Sequence, residues 1–556
     1  MARPSATACA EFLKPIIEQC YDSHTECQAK FKDQLQTEYV PTRLLYIGSR
    51  VPHDSPLLYE PARDAAQPYG SGTPYIALSH CWGNTRILTT KTANRDNHSR
   101  SIKWSSLTKT FRDAIDVSRA LGIDYIWIDS LCIVQDSASD WAHESAQMAE
   151  IYINACLTIG ASAAKDGNDG LFFERPEPQI ITTTHQGAET SIHVRHFPYH
   201  ELEDYVGVNT LALRTRSWTL QEELLSTRFV HFTREEVIWS CFSGTTCECR
   251  HDLRRTFYMS ATIYEPSGIG WAELIENFTS REITYFYDRL PALSGISKAL
   301  GYKGKYLAGL WSEHLPANLL WRVDGYTDDR YNAIRLGSDP PSWSWASIDF
   351  CTINSWIYQF NSDSNNKYWD YQFADHRRGG HRPEAEVLEA ITWPGTEDPN
   401  GRCKGGRLVL KAELFPLESA WTRDRSEFTG GPKSEADVRV AMSHQHPLHS
   451  QIPSCLVGLD YQALLPEREG AKGKFNYPVK FLLLTSTNQH VYQRNSFWGL
   501  IVRDAQDYNP ERLEEILGDG ERGWKRFERI GVGEMRCGFG VRPEEMDGVG
   551  EVVVLI

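Results

Sequence analysis

The sequence predicts an α/β fold, with a parallel sheet in the N-terminal half and a mixed α/β region after it, and three observations carry that reading. Tyr125-Ile126-Trp127-Ile128-Asp129 is an unbroken apolar run closed by a carboxylate, the pattern of a strand covered on both faces in a parallel sheet. Upstream, residues 106–121 place Leu107, Phe111, Ala114, Ile115 and Leu121 at helical period, behind a first strand-sized run, Tyr75-Ile76-Ala77-Leu78-Ser79. Downstream, Cys156-Leu157-Thr158-Ile159-Gly160 is a third apolar run, again preceded by a helical stretch. Strands and helices in alternation build a parallel sheet covered by helices.

Taken in order, residues 1–72 read as a leader segment. It holds a Cys-bearing helical pattern from Ala10 to Phe31 and a Pro-rich approach, VPHDSPLLYEPARDAAQPYGSGTP, expected to lack regular structure. After the first strand, Gly122 is placed to stop the helix that ends at Leu121. Asp140 is expected to cap the second helix, whose apolar positions are Trp141, Met148, Ala149 and Tyr152. A polar insertion follows the third strand over 164–210. Ser217 to Leu225 then reads as a short amphipathic helix, and Arg228 to Cys241 as two strand fragments around a polar turn. Beyond about residue 280, apolar blocks such as YLAGLW and PSWSWASID alternate with loops rich in Gly, Pro, Asn and charge. The organisation is therefore 1–72 as leader, 73–240 as the α/β domain and 241–556 as the C-terminal region.

Composition narrows the function. With 58 Lys+Arg against 73 Asp+Glu, the net charge of −15 argues against a nucleic-acid partner, which calls for a basic surface. No stretch approaches the roughly 18 apolar residues of a membrane span, and the first residues have no signal-peptide core. Thirteen irregularly spaced cysteines then read as reduced thiols in the cytoplasm.

Phosphate-loop and hydrolase-elbow signatures are missing. His143-Glu144-Ser145-Ala146-Gln147 has half of a zinc-protease motif, but Gln147 stands where the second histidine would be. Cys247 and Cys249 are too close for a zinc knuckle, and the histidines at 193, 196, 200 and 444–449 read as loop residues. No metal site and no cofactor is expected. The informative polar residues are those embedded in apolar runs: Ser79 and Trp82 after the first strand, Asp129 and Cys132 after the second, and Glu222 beside Trp218. Strand ends in a parallel sheet are where ligands bind. Ser79 and Asp129 are equally suited to capping turns. Glu222 shares a helix face with Trp218 and Leu225, so its carboxylate is either paired with a nearby arginine or functional.

YIALSHCWG (75–83), FRDAIDVSRALGIDYIWIDSLCIVQD (111–136), DWAHESAQMAEIYINACLTIGAS (140–162), GLF (170–172) and RSWTLQEELLSTRFVHF (216–232), in this order, resemble the fungal heterokaryon-incompatibility (HET) domain. Later segments, YDRLPALSGISKAL, YLAGLW, PSWSWASID and FERIGVG, are similar to the C-terminal region of many proteins with that domain. The resemblance implies fungal self/non-self recognition and execution of cell death, with self-assembly or other incompatibility proteins as partners. HET domains in turn resemble TIR domains, which implies a TIR-like, flavodoxin-like sheet. Trp218-Thr219-Leu220-Gln221-Glu222 is similar to the TIR pattern W-C-L-x-E, with Thr219 in place of Cys. By that likeness Glu222 is the catalytic carboxylate for hydrolysis of NAD as substrate; placement at the predicted strand ends and beside Glu222 then makes Ser79, Trp82, Asp129, Cys132 and Trp218 the expected substrate-binding residues. Two other readings stay open: a non-catalytic interaction module, and an accessory or tailoring protein of a secondary-metabolite pathway.

Overall fold

The computed structural model describes residues 4–29, 39–48, 55–63, 72–83, 86–175, 179–185, 188–194, 211–248, 250–254, 268–323, 334–335, 339–349, 353–355, 382–423, 438–442, 454–459, 472–474, 479–489, 494–504, 525–536 and 551–555. The chain forms two compact units, one of Met1–Ala261 with Arg281–Thr284 and Pro291–Ala299, the other of Thr262–Ser280, Tyr285–Leu290 and Leu300–Ile556.

The first unit contains α1 (Ala6–Ser23), α2 (Thr25–Ala29), β1 (Leu44–Tyr46), β2 (Leu57–Tyr59), β3 (Ile76–Ser79), α3 (Arg95–His98), α4 (Lys109–Leu121), β4 (Tyr125–Ile128), α5 (Asp129–Cys132), α6 (Ala138–Asn154) and β5 (Leu157–Gly160). It continues with β6 (Gln179–His185), β7 (Ala188–Val194), α7 (Trp218–Leu225), β8 (Arg228–Phe232), β9 (Val237–Cys241), β10 (Gly244–Cys247) and β11 (Arg250–Arg254). Helix α8 (Gly268–Thr279) belongs to the second unit and α9 (Pro291–Ala299) to the first.

Among the described residues the main sheet has nine strands in the order β11-β10-β9-β8-β5-β3-β4-β1-β2. Its centre, β8-β5-β3-β4, is parallel, as the three fully buried apolar runs predict. Numbered along the chain these four strands stand in the order 2-1-3-4, the flavodoxin-like doubly-wound order, and the switch point falls between β3 and β5. There Ser79 pairs with Gly160. Antiparallel wings extend both edges.

Local signals act largely where expected. Thr108 caps α4 through the Phe111 amide, and Gly122 ends it with φ of 85°. Two expectations are corrected. The cap of α6 is Ser137, whose side chain accepts from the Asp140 amide. Asp140 lies in the first turn, and its carboxylate accepts from the Val134 amide at 2.8 Å and from Arg43 at 2.6 Å. The Pro-rich approach is not wholly irregular, since Leu57–Tyr59 form β2 against β1, and β1 in turn covers β4. The open edge of β4 needs partners for its amides and carbonyls, and short apolar tripeptides supply them.

Arg43, just before β1, is buried between Asp140 and Glu144 and donates to the Cys132 carbonyl. The half zinc-protease motif is thus an ion pair. The polar insertion carries the β6–β7 hairpin with His193 in β7, whereas His196, His200, Cys249 and the 444–449 tract lie outside the described residues.

The second unit is mixed but weighted to strand. Among the described residues its sheet has eleven strands and is antiparallel apart from the pairing of Lys525–Arg536 with Glu551–Leu555, and α8 is the long helix there. Trp271 and Trp345 are buried and both donate to the Gly309 carbonyl, which gives each indole N–H the partner that burial demands. Among the described residues no helix is long and apolar enough to cross a membrane.

Candidate functional site

At the end of β3 the chain must leave the sheet sharply, and Gly83 allows it. Its φ is +63°, and a Cβ there would lie 2.3 Å from Asp166 Cβ, so a side chain is excluded twice over. The segment between, His80-Cys81-Trp82, is thereby held over the carboxyl ends of the strands. Asp129 follows β4 directly. Its Oδ1 accepts the Ser130 amide at 2.6 Å and its Oδ2 accepts Trp82 Nε1 at 2.7 Å. The indole is therefore fixed by a carboxylate from the neighbouring strand.

His80 is buried with its ring edge-on to Phe111. Burial lowers its pKa, and although Asp129, 3.7 Å away, works against this, Arg216 reinforces it. Arg216 Nη1 donates to the His80 carbonyl at 3.1 Å, which brings a guanidinium to the same place.

Helix α7 supplies Glu222. The helix is pinned at its start by Thr219 Oγ1, which donates to the Leu213 carbonyl at 2.6 Å, and at its end by Ser226 Oγ, which donates to the Glu222 carbonyl at 2.6 Å. Gln221 accepts the Gly295 amide of α9 at 3.0 Å. The Glu222 side chain is only 7% exposed. Burial pushes its carboxyl up to about 7; Ser79 opposes that shift, Asp129 adds to it, and Arg216 and Tyr152 oppose it. Ser79 Oγ faces Glu222 without a well-formed hydrogen bond among the described residues. Burial, together with Glu222 and Asp129, holds the Tyr152 hydroxyl well above its ordinary range, and that hydroxyl lies 3.4 Å from the Leu78 carbonyl.

Glu223, one residue on, has the opposite surroundings. Burial would raise it, but Arg214, His231 and Arg281 hold it down to about 2, with Arg214 at 2.9 Å. The arginine pairing that one carboxylate of this helix needs is made by Glu223, and Glu222 is left poised near neutrality. The surroundings thus drive two adjacent carboxylates apart, which suits Glu222 to acid/base or charge-stabilising chemistry.

Of the residues singled out in the sequence, Ser79, Trp82, Asp129 and Glu222 come together. Cys132 lies apart, fully buried in the core, and burial pushes its thiol up to about 12. Trp218 begins α7 with its ring edge-on to Trp141 of α6. Tyr152 and Arg216 are the partners that sequence reasoning missed, and His80 stands in the polar cluster after the first strand without a role assigned to it. Tyr152 sits at helical spacing among apolar residues and reads as core, and nothing in its own neighbourhood says which side chain its hydroxyl meets. The set has oxygen and ring groups but no soft-ligand cluster. The cysteines and histidine that do converge, Cys20, His24, Cys27 and Cys241, lie elsewhere in the unit.

A family model described as "Heterokaryon incompatibility protein (HET)" matches residues 75–222. No curated protein and no solved structure matches the chain. The match opens on the strand that carries Ser79 and closes on Glu222, so it spans every residue of the site. Residues 75–222 therefore carry a heterokaryon incompatibility (HET) domain.

Proposed function

We propose that the protein acts in fungal self/non-self recognition and cell-death signalling inside the cell, and that it does so by hydrolysing NAD with Glu222 as the catalytic carboxylate. The observation that carries the reading is Glu222 itself, buried at a doubly-wound switch point with its carboxyl near 7 and a second carboxylate, Asp129, in its electrostatic field. In such a reaction the nicotinamide–ribose bond breaks, and its electron pair leaves with neutral nicotinamide. The ribose passes through an oxocarbenium-like state that a carboxylate stabilises, as in glycoside hydrolysis. Water then adds to that carbon and gives up a proton. Trp82, held by Asp129, is suited to stack on the cationic pyridinium ring, and Ser79 and Asp129 to hold ribose hydroxyls.

The test is nicotinamide release by purified full-length protein over a range of concentrations. Wild type should release it, Glu222→Gln should lose at least about a hundredfold in rate, and wild-type turnover should rise with pH through about 7 as Glu222 ionises. No release at any concentration would sink the hydrolase reading. A second reading, a non-catalytic interaction module, is favoured by one observation: Ile180 and Ile181 of the β6–β7 hairpin are 60% and 52% exposed, an apolar pair suited to assembly. Concentration-dependent oligomers without turnover would support it.

A further inference from the structure

Helix α1 ends at Ser23, and α2 restarts two residues later. Cys20, His24 and Cys27 stand at i, i+4 and i+7 across this break, a spacing that brings three side chains to one side. Cys241 arrives from the far end of β9, 217 positions from His24, and its Sγ lies 3.5 Å from His24 Nδ1. One ligand atom from each of the four residues lies within 4.8 Å of all the others. A tetrahedral zinc with about 2.3 Å bonds to sulfur and 2.0–2.1 Å to nitrogen sets a sulfur–nitrogen edge of about 3.6 Å, so the Cys241–His24 edge is already at its bound length and no other exceeds 4.8 Å.

We propose that Cys20, His24, Cys27 and Cys241 bind a single structural zinc ion that fastens the N-terminal helices to the antiparallel wing of the sheet. Three features set the class of ion and role. The donors are three sulfurs and an imidazole, the soft set that selects zinc over magnesium or calcium. Cys20 is 0%, Cys27 6%, Cys241 9% and His24 9% exposed, so all four positions are closed by protein and none is open to a substrate. The surroundings suit the charge: three thiolates around a divalent ion leave one net negative charge, and Arg228, whose guanidinium lies over the Tyr21 ring at 3.7 Å, is close enough to act on Cys20. Ser243 Oγ, 3.7 Å from Cys27 Sγ, is placed as an outer hydrogen-bond partner. On binding, each thiol gives up its proton to solvent as its sulfur bonds the metal.

The experiment uses the full chain. Metal analysis of purified protein should find about one zinc per chain, and exchange for cobalt should give the intense visible bands of a tetrahedral ion with a thiolate charge-transfer band. Cys20→Ser and Cys241→Ser should lose the ion, Cys156→Ser and Glu222→Gln should keep it, and His24→Cys should keep cobalt with a stronger thiolate band. Should the cysteine variants fail to fold, the wild type alone decides: a chelator should expose Cys20, Cys27 and Cys241 to a thiol reagent. The proposal is overturned if the wild type takes up neither zinc nor cobalt, if peptide mapping finds a disulfide among these three cysteines, or if Cys241→Ser gives an unchanged cobalt spectrum.

Discussion

Glu222 and Glu223 are neighbours in the chain and opposites in what they do to stability. An unfolded chain ionises both near 4.5, whereas the folded chain ionises Glu222 at about 7 and Glu223 at about 2. At Glu222 the fold is favoured below 4.5, and that preference is lost as pH rises toward 7. At Glu223 stability is present above 4.5 and is lost as pH falls toward 2. Glu222→Gln should therefore be more stable than wild type at pH 8, by up to roughly 3 kcal/mol at 1.36 kcal/mol per unit, with the gap closing toward pH 5. Glu223→Gln should be less stable at pH 8 by a similar amount, because the attraction of Arg214, His231 and Arg281 for the carboxylate is lost. Denaturant titrations of the full chain at the two pH values check both, and equal effects of the two substitutions would contradict the assignment. A carboxylate whose ionisation weakens the fold is the residue expected at a functional site, where stability is given up for chemistry.

At the scale of elements, two glycines separate backbone strain from close packing. Gly122 ends α4 at φ +85° with open space around its Cα, whereas a Cβ on Gly160 in β5 would lie 2.2 Å from Phe229 Cε1 of the adjoining strand. Gly122→Ala should cost about 1 kcal/mol through the left-handed conformation alone. Gly160→Ala should cost more, roughly 1–3 kcal/mol, because β5 and β8 must move apart or the ring must leave its rotamer. It should also disturb the site, since Gly160 pairs with Ser79. The comparison is made by unfolding both variants beside the wild type; a Gly160→Ala protein as stable as Gly122→Ala would show that β8 yields easily. Such elements were readable because their signals are local: period, caps and apolar runs act within a few residues. Asp140 is as good a cap by residue type as Ser137, three residues earlier, but Ser137 makes the cap and Arg43 gives the Asp140 carboxylate another use.

At the scale of the molecule, the residues before the matched domain are part of the first unit's core. Strand β1 covers the edge of β4, and Arg43 is 2% exposed between two carboxylates. A chain beginning at residue 73 would leave Asp140 and Glu144 without that partner, and removing one member of a buried ion pair typically costs about 3–5 kcal/mol. It would also leave the β4 edge open, and open edges pair with other chains. The shortened chain should be less soluble and more prone to associate than the full chain, as read by soluble yield and size-exclusion chromatography of the two side by side. A monomeric, cooperatively unfolding protein from residue 73 would contradict this.

The apolar runs ending at Ser79 and Asp129, the helix bearing Glu222 and the parallel character of the sheet's centre were all legible in the amino acids. Burial on both faces and helical period are properties of short segments, and a segment carries them before it has any neighbours. Other features arose only when distant segments met. Arg214 rather than Arg216 pairs with the helix's carboxylates, and it takes Glu223. Tyr152 crosses from α6 to Glu222. Leu57–Tyr59 become a strand because β1 offers them an edge, and Cys241 joins Cys20, His24 and Cys27 from the other end of the unit. Each depends on which side chains lie within a few ångströms of one another, and sequence separation carries little information about that once the chain has folded.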